Sequence, residues 1–582
     1  MLKAIRFFFA MGWRYDKRYI LYRIFHELVR CLIPIVATVA PKLFIDELMG
    51  QARPERLVLW AGLLTGYTLA ATAMCSYFSS EGFTRRCRVD AAFGLDRDRN
   101  LARADYANLE DPGFLNQKAR AERFLTCGWH GFGYLLDLAI NILGQCATLA
   151  GIAAMIAALN GWMILIFALL ALLGAVVEAR VKKKTLELSQ QVAEDQRGWV
   201  YYSGLFSDVK YAKEIRLYRM GDWLLGCERR FTRRAIDNIA WQNRLTMASG
   251  LCSAGFTFIQ QCSAYGYLAF QVTAGQIGLG SFTMYAAAVT AFSSALRQIM
   301  DSMVEIRQYD TYYDDLDEYL NFPAVLRQGK AKAPRQGRLV FDHVCFQYPG
   351  AQQKALEDLC LTLEPGEKLA VVGENGAGKT TFVKLLCRLY DPDSGRILLD
   401  GRDIRDFDYD SYMALLSAVF QDYRLYACSL RENIALGERI SDGEIWRALE
   451  QLGLRRWVES MPRGLDTPIS RVFDPEGFEP SGGEGQKIAL ARALVRKTSL
   501  VILDEPTAAL DPRAEDELYR QFDQLIQGRS AVYITHRMAS TRFCDKIAVF
   551  ERGRLVQYGS HKALMQQEGL YRELYLLQAA HY

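Results

Sequence analysis

Leu369-Ala-Val-Val-Gly373-Glu374-Asn375-Gly376-Ala377-Gly378-Lys379-Thr380-Thr381, followed by the apolar-periodic run to Leu389, decides how the rest of this 582-residue chain is read. Four strand formers run into a glycine-rich turn, and the turn opens directly into a helical pattern. The turn matches G-x-x-x-x-G-K-[ST] in the strand-to-helix setting that gives this motif its meaning. Its glycines allow backbone N–H groups to point inward around phosphates at a helix N-terminus. Lys379 then reaches the β- and γ-phosphates of a nucleoside triphosphate, and the Thr380 hydroxyl ligates Mg²⁺.

Outward from that stretch, short β-rich runs (KLAVVG, GRILLD, SLVILD, SAVYIT and KIAVF) alternate with helical patterns from residue 338 onward. The alternation predicts an α/β domain with a largely parallel sheet over 338–582. SLVILD ends an apolar strand on Asp504, and Glu505 follows. The first carboxylate suits Mg²⁺. The second suits orienting or deprotonating an attacking water, the two tasks that phosphoryl transfer leaves to acidic groups.

Before residue 320 the composition changes. The whole chain is 51% hydrophobic with a formal net charge of +4, and its mean hydropathy is near zero, as expected when an apolar half is joined to a polar one. Apolar stretches near 20–45, 57–80, 132–157, 160–178, 247–271 and 277–301 each approach the ~20 residues a helix needs to cross a bilayer. His26, Glu27 and Arg30 interrupt the opening turns of the first. Basic residues orient the spans, because positively charged loops stay in the cytoplasm. They sit in the N-terminal tail (Arg14, Lys17, Arg18), after the second span (Arg85, Arg86, Arg88, Arg97, Arg99, Arg103) and after the fourth (Lys182, Lys183, Lys184). The short connections GQARPE, ALNG and TAGQIG are then the outside turns. The stretches 81–131 and 179–246 are too long for structureless loops and are expected to be helices that prolong the spans into the cytosol.

The expected organisation is a transmembrane domain over 1–320, a linker over 321–337 rich in Lys, Gly and Pro, and the nucleotide-binding domain over 338–582. A multi-pass cell-membrane protein with both termini and the second domain in the cytoplasm follows. The thirteen scattered cysteines are read as reduced packing residues. The N-terminus lacks a small-residue cleavage site, so no removable signal peptide is expected. The charge is too small and too dispersed to suggest a nucleic-acid partner.

Across essentially its whole length the sequence resembles the ATP-binding cassette (ABC) family, specifically exporter-type half-transporters from a bacterial plasma membrane. Pro480-Ser481-Gly482-Gly483-Glu484-Gly485-Gln486 is similar to the family signature LSGGQ-x-Q. The resemblance implies that Ser481, Gly482 and Gly483 contact the γ-phosphate bound by a second subunit. It implies further that Gln421, in AVFQD, is the Q-loop glutamine that meets Mg²⁺; that His536, in YITHR, is the switch histidine; that Asp511 lies in the D-loop; and that Tyr348, in FQYPG, stacks on adenine. DYANLEDPGFLNQ and DVKYAKEIRLY resemble the segments that couple the two domains. ATP and Mg²⁺ are the implied substrate and cofactor.

The resemblance implies a second half-transporter as partner, identical or different, in a lipid bilayer, with an unidentified cargo: a peptide, lipid, drug or other amphipathic compound for an exporter, or a metal chelate for an importer of the same fold. Pro480 and Glu484 depart from the signature's usual leucine and glutamine, which puts the rate at the partner's site in doubt. No peptidase domain is expected before the first span. A soluble ABC protein acting on ribosomes or DNA conflicts with six spans, and a non-hydrolysing subunit conflicts with an intact Lys379, Asp504, Glu505 and His536. Asp137, Asn141 and Gln145 recur every four residues on one face of the third span. Such a stripe either lines a cavity or bonds neighbouring helices.

Overall fold

The computed structural model describes residues 2–50, 52–126, 131–158, 198–310, 312–322, 324–506, 526, 528–579 and scattered positions between 162 and 184. The expected fourth span lies largely outside the described residues, as does Asp511. The chain forms two compact units: Met1–Ala102 with Gly113–Phe322, and Arg103–Pro112 with Pro323–Tyr582.

Every element described in the first unit is a helix. It contains α1 (Leu2–Tyr15), α2 (Lys17–Arg30), α3 (Leu32–Met49) and α4 (Pro54–Ala102). In the second unit lies the short α5 (Tyr106–Glu110), after which the first unit resumes with α6 (Pro112–Thr126), α7 (Tyr134–Ala157), α8 (Val209–Leu217), α9 (Gly221–Thr273), α10 (Leu279–Asp310) and α11 (Tyr313–Leu320). Among the described residues, four stretches are long and apolar enough to cross a membrane: Lys17–Met49, Pro54–Ala102, Tyr134–Ala157 and Leu279–Arg307. The first is two helices joined at Cys31, which itself keeps helical dihedrals. Residues 247–271 form the C-terminal half of α9, where buried Ser249, Ser253 and Gln260 dilute the apolar character. With 49 and 53 residues, α4 and α9 extend ~75–80 Å at 1.5 Å per residue, well beyond a ~30 Å hydrocarbon core.

Aromatic side chains knit the polar end of this unit. Phe8 stacks on Phe124 at 5.3 Å and meets Phe132 edge-on at 5.0 Å, and Phe132 stacks on Phe93 at 5.2 Å. The Asp137 stripe faces α2. Asp137 is ion-paired with Arg23 at 2.8 Å and Arg86 at 3.1 Å, and accepts from the Tyr19 hydroxyl at 3.1 Å. Asn141 accepts from Arg30 at 2.5 Å, and Gln145 donates back to Asn141 at 3.5 Å. These bonds tie α2, α4 and α7 together. Of the two readings of the stripe, bonding to neighbouring helices is the one this geometry carries.

The second unit is built on two sheets. One is antiparallel, in the order β2-β1-β4-β5, from β1 (Leu339–Phe346), β2 (Leu356–Leu363), β4 (Ser394–Leu399) and β5 (Arg402–Asp403). The other runs β10-β9-β3-β8-β7-β6, from β3 (Lys368–Gly373), β6 (Leu416–Val419), β7 (Leu500–Asp504), β8 (Ser530–Ile534), β9 (Lys546–Glu551) and β10 (Arg554–Gly559). Its five strands β9, β3, β8, β7 and β6 are mutually parallel, with β10 antiparallel at the edge. Strands covered on both faces read as unbroken aliphatic runs. Accordingly every residue of β7 and of β8 is buried. Each large aliphatic side chain removed from water there is worth about 1.5–3 kcal/mol, which makes this sheet a stiff platform for what its strand ends carry.

Candidate functional site

In a parallel sheet all carboxyl ends lie along one edge, where ligands of open α/β folds bind. Here that edge gathers the turn after β3, Gln421 after β6, Asp504 and Glu505 at the end of β7, and His536 after β8. The central position of β3, between β9 and β8, sets the glycine-rich turn in the middle of the row.

That turn enters the helix α12 (Lys379–Leu386) through Gly378, which has φ +102°. A Cβ on Gly378 would lie 2.9 Å from the Ala355 carbonyl oxygen, so only glycine lets the turn lie this close to the neighbouring backbone. The buried Lys379 ammonium donates to the carbonyls of Gly373 at 2.7 Å and Glu374 at 2.9 Å. Burial lowers its pKa, against the opposing fields of Glu505 and Asp504.

Asp504 is 5% exposed. Burial and the adjacent Glu505 push its carboxyl up to about 6, although Lys379 pulls the other way. Among the described residues no basic side chain forms an ion pair with it. A buried carboxylate short of a cation, next to a helix whose second residue is Thr380, is a donor set of hard oxygens of the kind Mg²⁺ takes. The residues present therefore fit that ion.

Glu505 has φ +50°, a left-handed conformation that costs a non-glycine residue on the order of 1 kcal/mol or more and concentrates at functional sites. Its N–H still donates to the Ile534 carbonyl at 3.0 Å. Both carboxylate oxygens are engaged: Gln421 Nε2 donates to Oε2 at 2.9 Å, and His536 Nε2 lies 2.5 Å from Oε1. Gln486 Nε2 donates to the Glu505 carbonyl at 3.2 Å. Three residues proposed from separate motifs, Gln421, Glu505 and His536, thus meet around one carboxylate.

A cavity of about 810 Å³ is lined by Tyr348, Asn375, Gly376, Ala377, Gly378, Lys379, Thr380, Thr381, Gln421, Glu505 and His536, while the buried Asp504 is not among its lining residues. Gly373 and Glu374 contribute carbonyls to Lys379 rather than wall to the cavity. Tyr348 shares a hydrogen bond of 3.2 Å with Thr381. Its ring meets Phe346 edge-on at 5.0 Å and lies 5.2 Å from the Lys384 ammonium. Sequence reasoning missed Gln353, Lys354 and Arg552, which also line the cavity. No motif marks them; the turn after β9 is brought in by backbone bonds, Gly553 N–H to Ala377 and Glu357 N–H to Gly553.

The signature stretch stands elsewhere. Ser481 caps α13 (Gly482–Val495) in a reciprocal box: its N–H and hydroxyl donate to the Glu484 carboxylate at 2.8 and 2.7 Å, and its Oγ accepts from the Glu484 N–H at 3.4 Å. Tyr423 donates to the Gly482 carbonyl at 2.8 Å. Ser481 and Gly482 are exposed, and Ser481, Gly482 and Gly483 are not among the residues lining the cavity.

Residues 356–508 match the family model described as ABC transporter. The subtilin transport ATP-binding protein of Bacillus subtilis is 33% identical over 398 residues, covering 66% of this chain and 63% of that protein, so the chain spans less than two thirds of this relative's length. The ATP-dependent lipid A-core flippase of Alkalilimnicola ehrlichii is 30% identical over 431 residues, covering 72% of this chain and 71% of that protein. A bacterial Atm1-family ABC exporter with ATP bound superposes with a TM-score of 0.81 at 22% identity, over 98% of this chain and 99% of the other. The fold is accordingly an exporter fold, with a helical transmembrane region followed by an α/β ATPase domain.

Proposed function

The chain belongs to the ABC transporter family, and from that premise we propose that it is one half of an ATP-driven exporter, residing in the cell membrane with its ATPase domain in the cytoplasm. The observation that carries the proposal is the clamping of Glu505 between Gln421 and His536 beside the cavity that Lys379 closes. In this reading residues 1–320 carry six spans, 321–337 link, and 338–582 hydrolyse ATP.

The backbone N–H groups of the turn and Lys379 take the triphosphate, and Tyr348 takes the adenine. Thr380, Asp504 and Gln421 would hold Mg²⁺, which supplies neutralisation of the β- and γ-oxygens when bound. Water attacks the γ-phosphorus, the bond to the β-phosphate oxygen breaks, and Glu505 orients that water and accepts its proton. His536 keeps the Glu505 carboxylate in place and meets the γ-phosphate. The exposed Ser481-Gly482-Gly483 end of α13 serves a nucleotide on a second chain, since it stands outside this chain's own cavity, and Asp511 belongs to the same interface. A dimer with two composite sites follows, formed with an identical or a related half-transporter.

A lipid A-core flippase and a subtilin transport protein among the relatives favour an amphipathic lipid or peptide as cargo. The test uses the purified full chain in lipid vesicles. ATP hydrolysis there should rise on adding lipid A-type glycolipids or amphipathic peptides, with movement of the same compound across the bilayer. Hydrolysis indifferent to every such compound, with no movement, would contradict the assigned cargo class.

A further inference from the structure

We propose that the β1–β2 hairpin carries a transition-metal site of the kind that takes Zn²⁺, with His343 Nδ1, an Asp358 carboxylate oxygen and Cys360 Sγ as its protein ligands. None of the three lines the nucleotide cavity. Their ligand atoms all lie within 4.8 Å of one another on the solvent-facing side of the hairpin.

The register explains how they come together. Between the pairs Phe341↔Leu361 and Val344↔Leu359, β1 advances three residues while β2 advances two; between Val344↔Leu359 and Phe346↔Leu356 the inequality reverses. Each strand therefore carries one bulge, on either side of a single pair. His343 and Asp358, which have φ +49° and +51°, sit in these two bulges. Bulges bend a strand and re-aim a side chain, and they concentrate beside functional sites. These two turn His343 and Asp358 towards each other, next to Cys360. On the far side of β1, Gly395 gives the bulge room: a Cβ there would lie 2.2 Å from the His343 carbonyl oxygen.

The spacings suit a tetrahedral ion. Zinc bonds of ~2.0–2.1 Å to nitrogen and ~2.3 Å to sulfur place those two ligands about 3.5 Å apart at a tetrahedral angle. Cys360 Sγ lies 3.6 Å from His343 Nδ1. His343 Nδ1 and Asp358 Oδ1 share a hydrogen bond of 2.7 Å, and this edge opens to about 3.4 Å when a metal replaces the shared proton. Binding then releases that proton and the thiol proton to solvent and leaves a thiolate, a neutral imidazole and a carboxylate on the ion. All three side chains are exposed, so the adjustment meets little packing resistance. The fourth position goes to water. The nitrogen, oxygen and thiolate set favours zinc over magnesium or calcium.

The experiment uses full-length protein purified without a histidine tag and stripped of metal, with Co²⁺ as spectroscopic probe and Zn²⁺ as competitor. The expected result is one ion bound per chain above the level seen in Cys360→Ser, with a thiolate-to-cobalt charge-transfer band that Zn²⁺ abolishes. Cys360→Ser should remove the band. His343→Asn, which tolerates the left-handed backbone, should weaken Zn²⁺ binding by about tenfold or more. ATP binding serves as the folding control and should be unaltered in both variants. Equal Zn²⁺ binding by wild type, Cys360→Ser and His343→Asn, or a cobalt spectrum without a thiolate band, overturns the proposal.

Discussion

The second unit presents two glycine-rich helix starts, those of α12 and α13, and they are prepared for anions in opposite ways. At α12 the first helical residue is Lys379, and its buried ammonium is held by the carbonyls of Gly373 and Glu374. Positive charge and open N–H groups there face a cavity. At α13 the first turn carries a carboxylate instead, and Glu484 already occupies the Ser481 N–H and hydroxyl. A capping box satisfies the end of a helix internally. The first start has the charge and the open N–H groups to capture phosphate; the second is capped internally without any, and under the proposed function it meets a phosphate only when a second chain brings one.

Separate disruption of the two ends is the strongest way to break that contrast. Lys379→Ala should lose nucleotide binding together with ~10²–10³-fold or more in turnover, the scale for removing a preorganised electrostatic group. Ser481→Arg should lose turnover comparably yet leave equilibrium nucleotide binding by the single chain intact. If binding fell equally in both, the division of labour between the two helix starts would be wrong.

A smaller effect concerns stability. The Asp504 carboxyl is raised from 3.8 to about 6 in the folded protein, so the native state holds this proton more tightly than the unfolded chain. Well below pH 3.8 both states are protonated and the group is neutral in its effect. Between about pH 4 and 6 the unfolded chain gives up this proton while the folded protein keeps it, so stability falls by up to about 3 kcal/mol and levels off once the folded carboxyl has ionised above 6. Asp504→Asn, free of nucleotide and metal, should therefore melt higher than wild type at pH 7.5 and the same well below pH 3.8. Thermal unfolding of the full chain across that range measures it.

The smallest expected change sharpens the comparison at α13. Glu484→Gln keeps the reciprocal cap through its amide oxygen and removes a negative charge from a phosphate-facing helix start. Charges at a helix terminus are worth about 0.3–1 kcal/mol, so apparent ATP affinity in steady-state turnover should improve about two- to fivefold. Unchanged or weakened affinity would show that the carboxylate does not oppose the incoming phosphate.

The geometry of the glycine-rich turn and the strand end was legible in the sequence because contiguous backbone makes it: a turn that needs Gly378 at φ +102°, and a buried strand that leaves Asp504 and Glu505 at its end. Gln421 and His536 were marked only by the family resemblance, and the structure sets each just after a parallel strand. Asp137 was not legible in the same way. Its spacing with Asn141 and Gln145 showed a polar face, but the partners Tyr19, Arg23 and Arg86 come from two other helices. Lys354 and Arg552 escaped notice because only tertiary backbone pairing brings their turns to the cavity. The paired bulges at His343 and Asp358 shift the register without any glycine or proline to announce them.

Turnover of the reconstituted full chain beside Glu505→Gln tests most directly whether Glu505 is the general base. Glu505→Gln should bind Mg²⁺-ATP as wild type does and hydrolyse it ~10²–10⁴-fold more slowly, the span for losing a general base. Hydrolysis by Glu505→Gln at a rate near that of wild type would contradict the assignment of this carboxylate, and with it the reading of the strand-end cluster as the ATPase site.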